Sequence, residues 1–268
     1  MSRNFELLQR LEQERAEAQV IEIGGQQQAA PVPVFAEPQA EVQPEWTLPQ
    51  HAESMALETD PLAKDEISKL VQRLFLLPSG SRAVAFAGVE KGNGCTWLTA
   101  RAADLLASQI AGTVCVIDGN FRSPDLHNCW HVENGRGITD AMTAAEPIVK
   151  FCRRLNRGNL WLLSGGSMPA QGQSWMGSEV LRSRMSELRA NFDFVLIDAP
   201  AVAQGGDAVV WGHMGDGVVL VMSANATHRE AAHWATSELA SAHVRVIGGV
   251  LNKRTFPIPE NVYSKLKF

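Results

Sequence analysis

Residues 88–107 read GVEKGNGCTWLTARAADLLA and follow the short apolar run of residues 83–87. An apolar run, a glycine-rich turn, a Thr and a helix-like segment form the layout of a phosphate-binding loop, whose pattern is GxxxxGK[ST]. Gly92 and Gly94 allow the backbone to turn successive N–H groups inward, and the following helix offers its positive N-terminal end to an anion. Thr96 stands where a hydroxyl would ligate Mg2+. The position between Gly94 and Thr96, where the pattern has lysine, holds Cys95. Two carboxylates extend the constellation: Asp118 in VCVIDGNFRSP and Asp198 in FDFVLIDAPAV each end an apolar run. Either one alone could cap a helix or start a turn. Together with a glycine loop after a third strand, they are what a Mg2+-nucleotide site needs. The carboxylates hold the hydrated metal or position a water, opposite backbone donors that hold phosphate.

Positioning such residues requires a sheet, and the chain supplies one. Continuous apolar runs lie at residues 83–87, 114–117, 160–163, 194–197, 218–222 and 244–251. Such runs suit strands covered on both faces, and the helical stretches between them supply the crossovers that parallel strands require. The expected fold is α/β, a doubly wound and mostly parallel sheet flanked by helices, with ligands bound outside the carboxyl ends of the strands. A helix over residues 61–76 carries Leu62, Ile67, Leu70, Val71 and Leu74 on a broad apolar stripe. Leu98, Ala102, Leu105, Leu106 and Ile110 form the buried stripe of the helix after the glycine loop. Ahead of this domain (61–254), residues 1–22 contain a short helix with Asn4 as its cap, and residues 23–60 shift to a Pro/Gln/Ala-rich linker. Residues 255–268 form a flexible tail.

Of 268 residues, 45% are hydrophobic and 20% charged, the composition of a soluble globular chain. A net charge of −5 provides no basic field for nucleic acid or an anionic membrane surface. No apolar stretch approaches the roughly 20 residues needed to span a bilayer, and the polar start MSRNFELLQRLEQER lacks the apolar centre of a secretion signal. The expected compartment is the cytoplasm. Cys95, Cys115, Cys129 and Cys152 have no paired spacing that would suggest a disulfide frame or zinc site, and His127 and His131 lack a third ligand.

In this order the motifs resemble the bacterial tyrosine kinase family (CpsD/CapB-like) of capsule and exopolysaccharide assembly, part of the MinD/ParA group of P-loop ATPases. VEKGNGCTWLTARAADLLA resembles the family's Walker A loop and helix. VCVIDGNFRSPDLH resembles its second acidic motif, DxDxRxPxxH, and FDFVLIDAPAV its Walker B segment. LWLLSGG, the helix at residues 178–188 and VIGGVLNKR follow in the family's order. The resemblance implies ATP or ADP with Mg2+ as cofactors. It places Gly92, Asn93, Gly94, Cys95 and Thr96 around phosphate, Thr96, Asp118 and Asp198 around the metal, and Asn252 at the base. For Asn252 a capping role at a strand end competes. Asp118, Asn120 and Asp198 become the candidate catalytic residues, and Arg122 and Pro124 shape the loop after Asp118. The family's self-association helix, a Glu and two Arg at three-residue intervals, here reads Glu66, Lys69 and Gln72. A membrane-bound chain-length or export protein is the implied partner, recruiting the chain to the inner face of the membrane.

The departures from the family pattern share a direction. Cys95 replaces the loop lysine, Asn120 replaces the second aspartate, Glu90 stands where MinD-type relatives carry a further lysine, and the tail has the single tyrosine Tyr263. A lysine ammonium about 4 Å from a phosphate oxygen contributes on the order of 4 kcal/mol at an effective dielectric near 20, and more as charge moves to the leaving group. Asn120 lacks the charge and basicity of aspartate. At a helix N-terminus the Cys95 thiol is expected to fall in pKa, and a thiolate would repel phosphate; the alternative is a neutral residue filling the loop. Lys91 could fold back as a substitute cation. Tyr263 is a candidate phosphorylation site or an ordinary tail residue. The implied function is a kinase-like regulator with phosphoryl transfer weak or absent. The alternatives are an active autophosphorylating tyrosine kinase and a MinD/ParA-like positioning ATPase.

Overall fold

The computed structural model describes residues 61–155, 158–167 and 176–254; the expected N-terminal helix, the linker and the tail with Tyr263 lie outside these residues. The chain enters through α1 (Pro61–Val71), which widens into a π-helical turn at Gln72–Leu76, and then forms β1 (Ala83–Gly88). There follow α2 (Cys95–Gln109), β2 (Val114–Asp118), the short α3 (Ile138–Ala141), β3 (Arg153–Arg154) and β4 (Leu160–Leu163). The second half runs α4 (Glu179–Asn191), β5 (Phe194–Ala199), α5 (Asp207–Met214), β6 (Val218–Ser223), α6 (Arg229–Ser241) and β7 (Val246–Asn252).

These strands form one seven-stranded sheet in the order β3-β4-β2-β5-β1-β6-β7. Every pairing is parallel except that of β3 with β4. The sheet separates two apolar layers because successive side chains of a strand point to opposite faces. Ala83, Ala85 and Ala87 of β1 join Leu181, Leu188, Trp211 and Leu239 on one side. Val84 and Phe86 join Ile67, Val71, Leu98 and Leu106 on the other, under α1 and α2. With both faces covered, the central strands β1 and β2 are wholly buried, as continuous apolar runs require.

Carboxylates fasten the strand starts at the edge opposite the glycine loop. Asp216 accepts hydrogen bonds from the backbone N–H groups of Arg82 (2.7 Å) and Ala83 (2.9 Å) and pairs with Arg189. Asp193 accepts from the Thr113 N–H (2.8 Å) and hydroxyl (3.0 Å) ahead of β2. Hydrogen bonds from these groups hold both carboxylates below the usual range, outweighing the opposing effect of burial at Asp216.

Two elements differ from the pattern read off the sequence. The run at residues 244–251 loses its first two members, because the Val244 N–H closes on the Leu239 carbonyl at 2.9 Å and belongs to the end of α6. His243, at φ 57°, makes the turn into it. Strand β3 is two exposed arginines with no apolar signature.

Candidate functional site

The glycine loop connects β1 to α2, and its conformation depends on Gly92 and Gly94, at φ 88° and 82°. Left-handed backbone of this kind is easy for glycine and costly for residues with a Cβ. Contacts strengthen the requirement at Gly94, where a Cβ would lie 2.5 Å from Asn252 Nδ2. At Gly92 a Cβ would meet nothing within 4 Å, so this part of the loop faces open space.

Asn93 sits between the two glycines, 5% exposed, and its side chain is the latch of the loop. Its Oδ1 accepts from the Glu90 N–H at 2.7 Å, and its Nδ2 donates to the Ser223 and Thr227 hydroxyls, each at 3.1 Å. The side chain is therefore engaged by protein, and the loop's open donors are those of the backbone. Asn252, at the end of β7, donates from Nδ2 to the Asn93 carbonyl at 3.0 Å. This is a strand-end bracing role, close to the capping alternative in the sequence. Ser223, Thr227 and Lys253 were not singled out by sequence reasoning. Of these, only Lys253 had a signal available, its place directly after Asn252 in VIGGVLNKR.

Asp198 and Asp118 meet because β5 lies between β1 and β2. Asp198 stands opposite Phe86 in one pairing and opposite Asp118 in the other. Burial, and then the neighbouring Asp118 charge, push Asp198 up to about 7, while hydrogen bonds with Thr96 and Cys95 pull it down. Burial pushes Asp118 up to about 6 against three backbone donors of its own loop. These are the N–H groups of Asn120 on Oδ1 at 3.2 Å and of Asp125 and Leu126 on Oδ2, each at 3.0 Å. Asp118 thus folds the loop after β2 around itself.

The same loop is held from outside. Trp211 Nε1 donates to the Gly119 carbonyl at 3.0 Å, and the Trp211 ring meets Phe121 edge-on at 5.8 Å between centroids. Arg122 donates to the Gln204 carbonyl at 3.3 Å and lies 3.5 Å from Asp207, while Pro124 packs beside Gly165. Asn120, half-buried, closes a turn in which its carbonyl accepts from the Ser123 N–H at 3.1 Å.

The expected fall in the Cys95 pKa is overturned. Desolvation and then the Asp198 charge push the thiol well above its ordinary value, outweighing the lowering effect of hydrogen bonds with Thr99 and the Gly88 backbone. Cys129 is likewise pushed up to about 11 by burial and then by Asp198. Both thiols are neutral at physiological pH, so Cys95 brings neither the lysine's positive charge nor a thiolate's negative one. Lys91 is exposed and, among the described residues, makes no hydrogen bond or ion pair.

These residues fit a magnesium-bound phosphate group. The open, left-handed Gly92 supplies room and backbone donors, and the Thr96 hydroxyl and Asp198 carboxylate meet in a hydrogen bond at the start of α2. They are the residues that would hold the metal. Asp118, with its oxygens on three amides, acts on the shape of the site.

No family model matches the chain. Among known proteins it is similar to the tyrosine-protein kinase YwqD of Bacillus subtilis, with 28% identity over 60% of this chain and 68% of that one. It is similar to the tyrosine-protein kinase CpsD of Streptococcus agalactiae, with 20% identity over 65% of this chain and 75% of that one. Its match to the tyrosine-protein kinase Etk of Escherichia coli, at 22% identity, covers 62% of this chain and 23% of that longer protein. The fold is shared with the chimerical protein CapA2B2, with a TM-score of 0.68 at 18% identity over 74% of this chain and 87% of that one. It is also shared with the septum site-determining protein MinD of Pyrococcus horikoshii, solved with Mg-ADP, with a TM-score of 0.55 at 19% identity over 69% and 76%.

Proposed function

We propose that this homologue of bacterial tyrosine-protein kinases is a nucleotide-binding regulator of polysaccharide assembly in which phosphoryl transfer is weak or absent. One observation carries the reading: the loop keeps its glycines, its latch and its carboxylate neighbours, while a neutral thiol occupies the place of the lysine. Binding draws on backbone donors and the helix end, which need no lysine. Transfer draws on charge concentrated where the leaving group develops, and Cys95 supplies none.

Asn120 adds to the same effect. An amide next to the site accepts a hydrogen bond from a hydroxyl but does not take its proton as an aspartate would. Thr96 and Asp198 would hold a bound magnesium ion, which would supply neutralisation of phosphate charge. The protein's own part is to orient the phosphates through the loop and to keep Asp198 in a desolvated position beside them.

The partner in this reading is a membrane-bound protein of the chain-length or export class, as the motif resemblance implies. Among the described residues no helix is long and apolar enough to cross a membrane. Calorimetry with ADP and ATP, with and without Mg2+, tests the nucleotide reading. Saturable Mg2+-dependent binding supports it, and no binding of either nucleotide overturns it.

A further inference from the structure

A lysine reaches the glycine loop from a different part of the fold. Lys253 follows Asn252 at the end of β7, and its Nζ donates to the Gly92 carbonyl at 2.6 Å. Its stem crosses the loop, with Cε 3.5 Å from where a Gly94 Cβ would be. The position is set by the backbone. Asn252 Oδ1 accepts the Lys253 N–H at 2.8 Å while Asn252 Nδ2 holds the Asn93 carbonyl. The Ala224 N–H donates to the Asn252 carbonyl at 2.7 Å, tying the strand end to β6. Lys253 itself takes φ 57°, a left-handed conformation uncommon for a residue with a side chain. The turn that places the ammonium on the loop is thus fixed from both sides.

We propose that Lys253 is a phosphate-binding residue that supplies, from β7, the ammonium missing at Cys95, and that it contacts the distal phosphates of a bound nucleoside di- or triphosphate. An ammonium has three donors, and the Gly92 carbonyl occupies one, leaving two for phosphate oxygens. Gly92 borders open space, so an anion on the loop's amides lies beside this cation. Lys91 is closer to Cys95 in sequence but has no hydrogen-bonded anchor among the described residues. A cation arriving from β7 restores charge for binding without restoring the lysine's path along α2. Phosphate holding and phosphoryl transfer are thereby separated in this chain.

The inference rests on the nucleotide reading above, and its test separates the two. Mg-ADP, AMP and pyrophosphate are titrated calorimetrically into the full chain and into Lys253→Met, Lys253→Arg, Lys91→Ala and Lys253→Met/Cys95→Lys. Lys253→Met is expected to weaken Mg-ADP about ten- to hundredfold, the scale of one hydrogen bond to a charged group. AMP affinity and the ligand-free Tm should change little. Lys253→Arg should retain most of the affinity, Lys91→Ala all of it, and the added Cys95→Lys should recover the loss. A parallel loss of pyrophosphate binding is expected because the contact is to phosphate.

Unchanged Mg-ADP affinity in Lys253→Met overturns the inference and leaves the nucleotide reading standing. Equal losses for ADP and AMP with a lowered Tm also overturn it, since they mark Lys253 as a structural strap. Tighter binding in Lys253→Met overturns it by showing that the lysine blocks the loop. A wild-type chain that binds neither ADP nor ATP removes the nucleotide reading and this inference together.

Discussion

Cys95 and Asp198 are chemically coupled, and the coupling makes both testable. A protonated thiol beside a carboxylate that titrates at about 7 leaves this corner of the site with less charge than its motif pattern suggests. Cys95→Lys places an ammonium against Asp198 and the loop. It is expected to tighten Mg-ADP about tenfold, on the scale of a charged hydrogen bond, and to give measurable turnover of ATP. A gain in affinity without turnover assigns the remaining defect to Asn120. Asp198 also carries a pH signature. In the unfolded chain it ionises near 3.8, while in the folded chain it keeps its proton up to about pH 7. Its contribution to stability is therefore full at low pH, falls as pH rises between these values, and is flat above them. Asp118, pushed up to about 6, acts in the same direction. In metal-free buffer, Asp198→Asn should raise the Tm at pH 8 and leave it nearly unchanged at pH 4. The corresponding difference has an upper bound of about 4 kcal/mol. Melting curves of the two proteins across this range check the sign.

The loop and the strand ends are positioned by a few polar groups whose loss should be felt over whole elements. Asp216 fastens the start of β1 through two backbone N–H groups and Arg189. Asp216→Ala is expected to destabilise the fold by about 1–3 kcal/mol at neutral pH. Because its pKa is lowered in the folded chain, that difference shrinks as pH falls through the carboxylate range; denaturant titrations at two pH values measure it. Gly94→Ala forces a Cβ into a left-handed residue and against Asn252, at a cost of about 1–3 kcal/mol, and should weaken nucleotide binding by displacing the loop.

These dependencies mark how far the sequence could be read. The apolar runs at residues 160–163 and 83–87 became β4 and, one residue longer, β1, because buried parallel strands announce themselves by composition alone. In the apolar stripe after the loop Leu98, Ala102 and Leu106 are buried, while Leu105 is half-buried and Ile110, also half-buried, falls just past the end of α2. The acidic strand ends were legible as a pair: either carboxylate alone could cap a helix or start a turn, but two of them at strand ends together with a glycine loop point to a site. The connections were not legible. Asn93 to Ser223 and Asn252 to Asn93 link residues far apart in the chain, and only the sheet order makes them neighbours. The arrival of Lys253 at Gly92 belongs to the same class, whereas Lys91 drew attention by proximity in sequence. Val244 carried a strand-like side chain but was drawn into the end of α6 by a backbone hydrogen bond.

On the proposed function, the whole molecule is a nucleotide-responsive protein on a kinase-related fold, with binding and transfer uncoupled. Tyr263, outside the described residues, is the tail's single candidate acceptor. Incubation with Mg-ATP is expected to leave the intact mass unchanged, and Tyr263→Phe should behave like the wild-type chain; an 80 Da gain absent from Tyr263→Phe would identify an active autophosphorylating kinase. In helix α1 Lys69 is paired with Asp65 (2.7 Å) and Glu66 (2.8 Å), so its ammonium is engaged within the helix. The most direct measurement is a single experiment on the full chain that follows binding and chemistry together: calorimetric titration of Mg-ATP, with ADP release and protein mass recorded on the same samples. The account predicts saturable binding with no ADP formed and no mass added over many times the binding relaxation. Failure to bind Mg-ATP, or ADP release at a rate typical of a working kinase, about 1 s⁻¹ or faster, would contradict it.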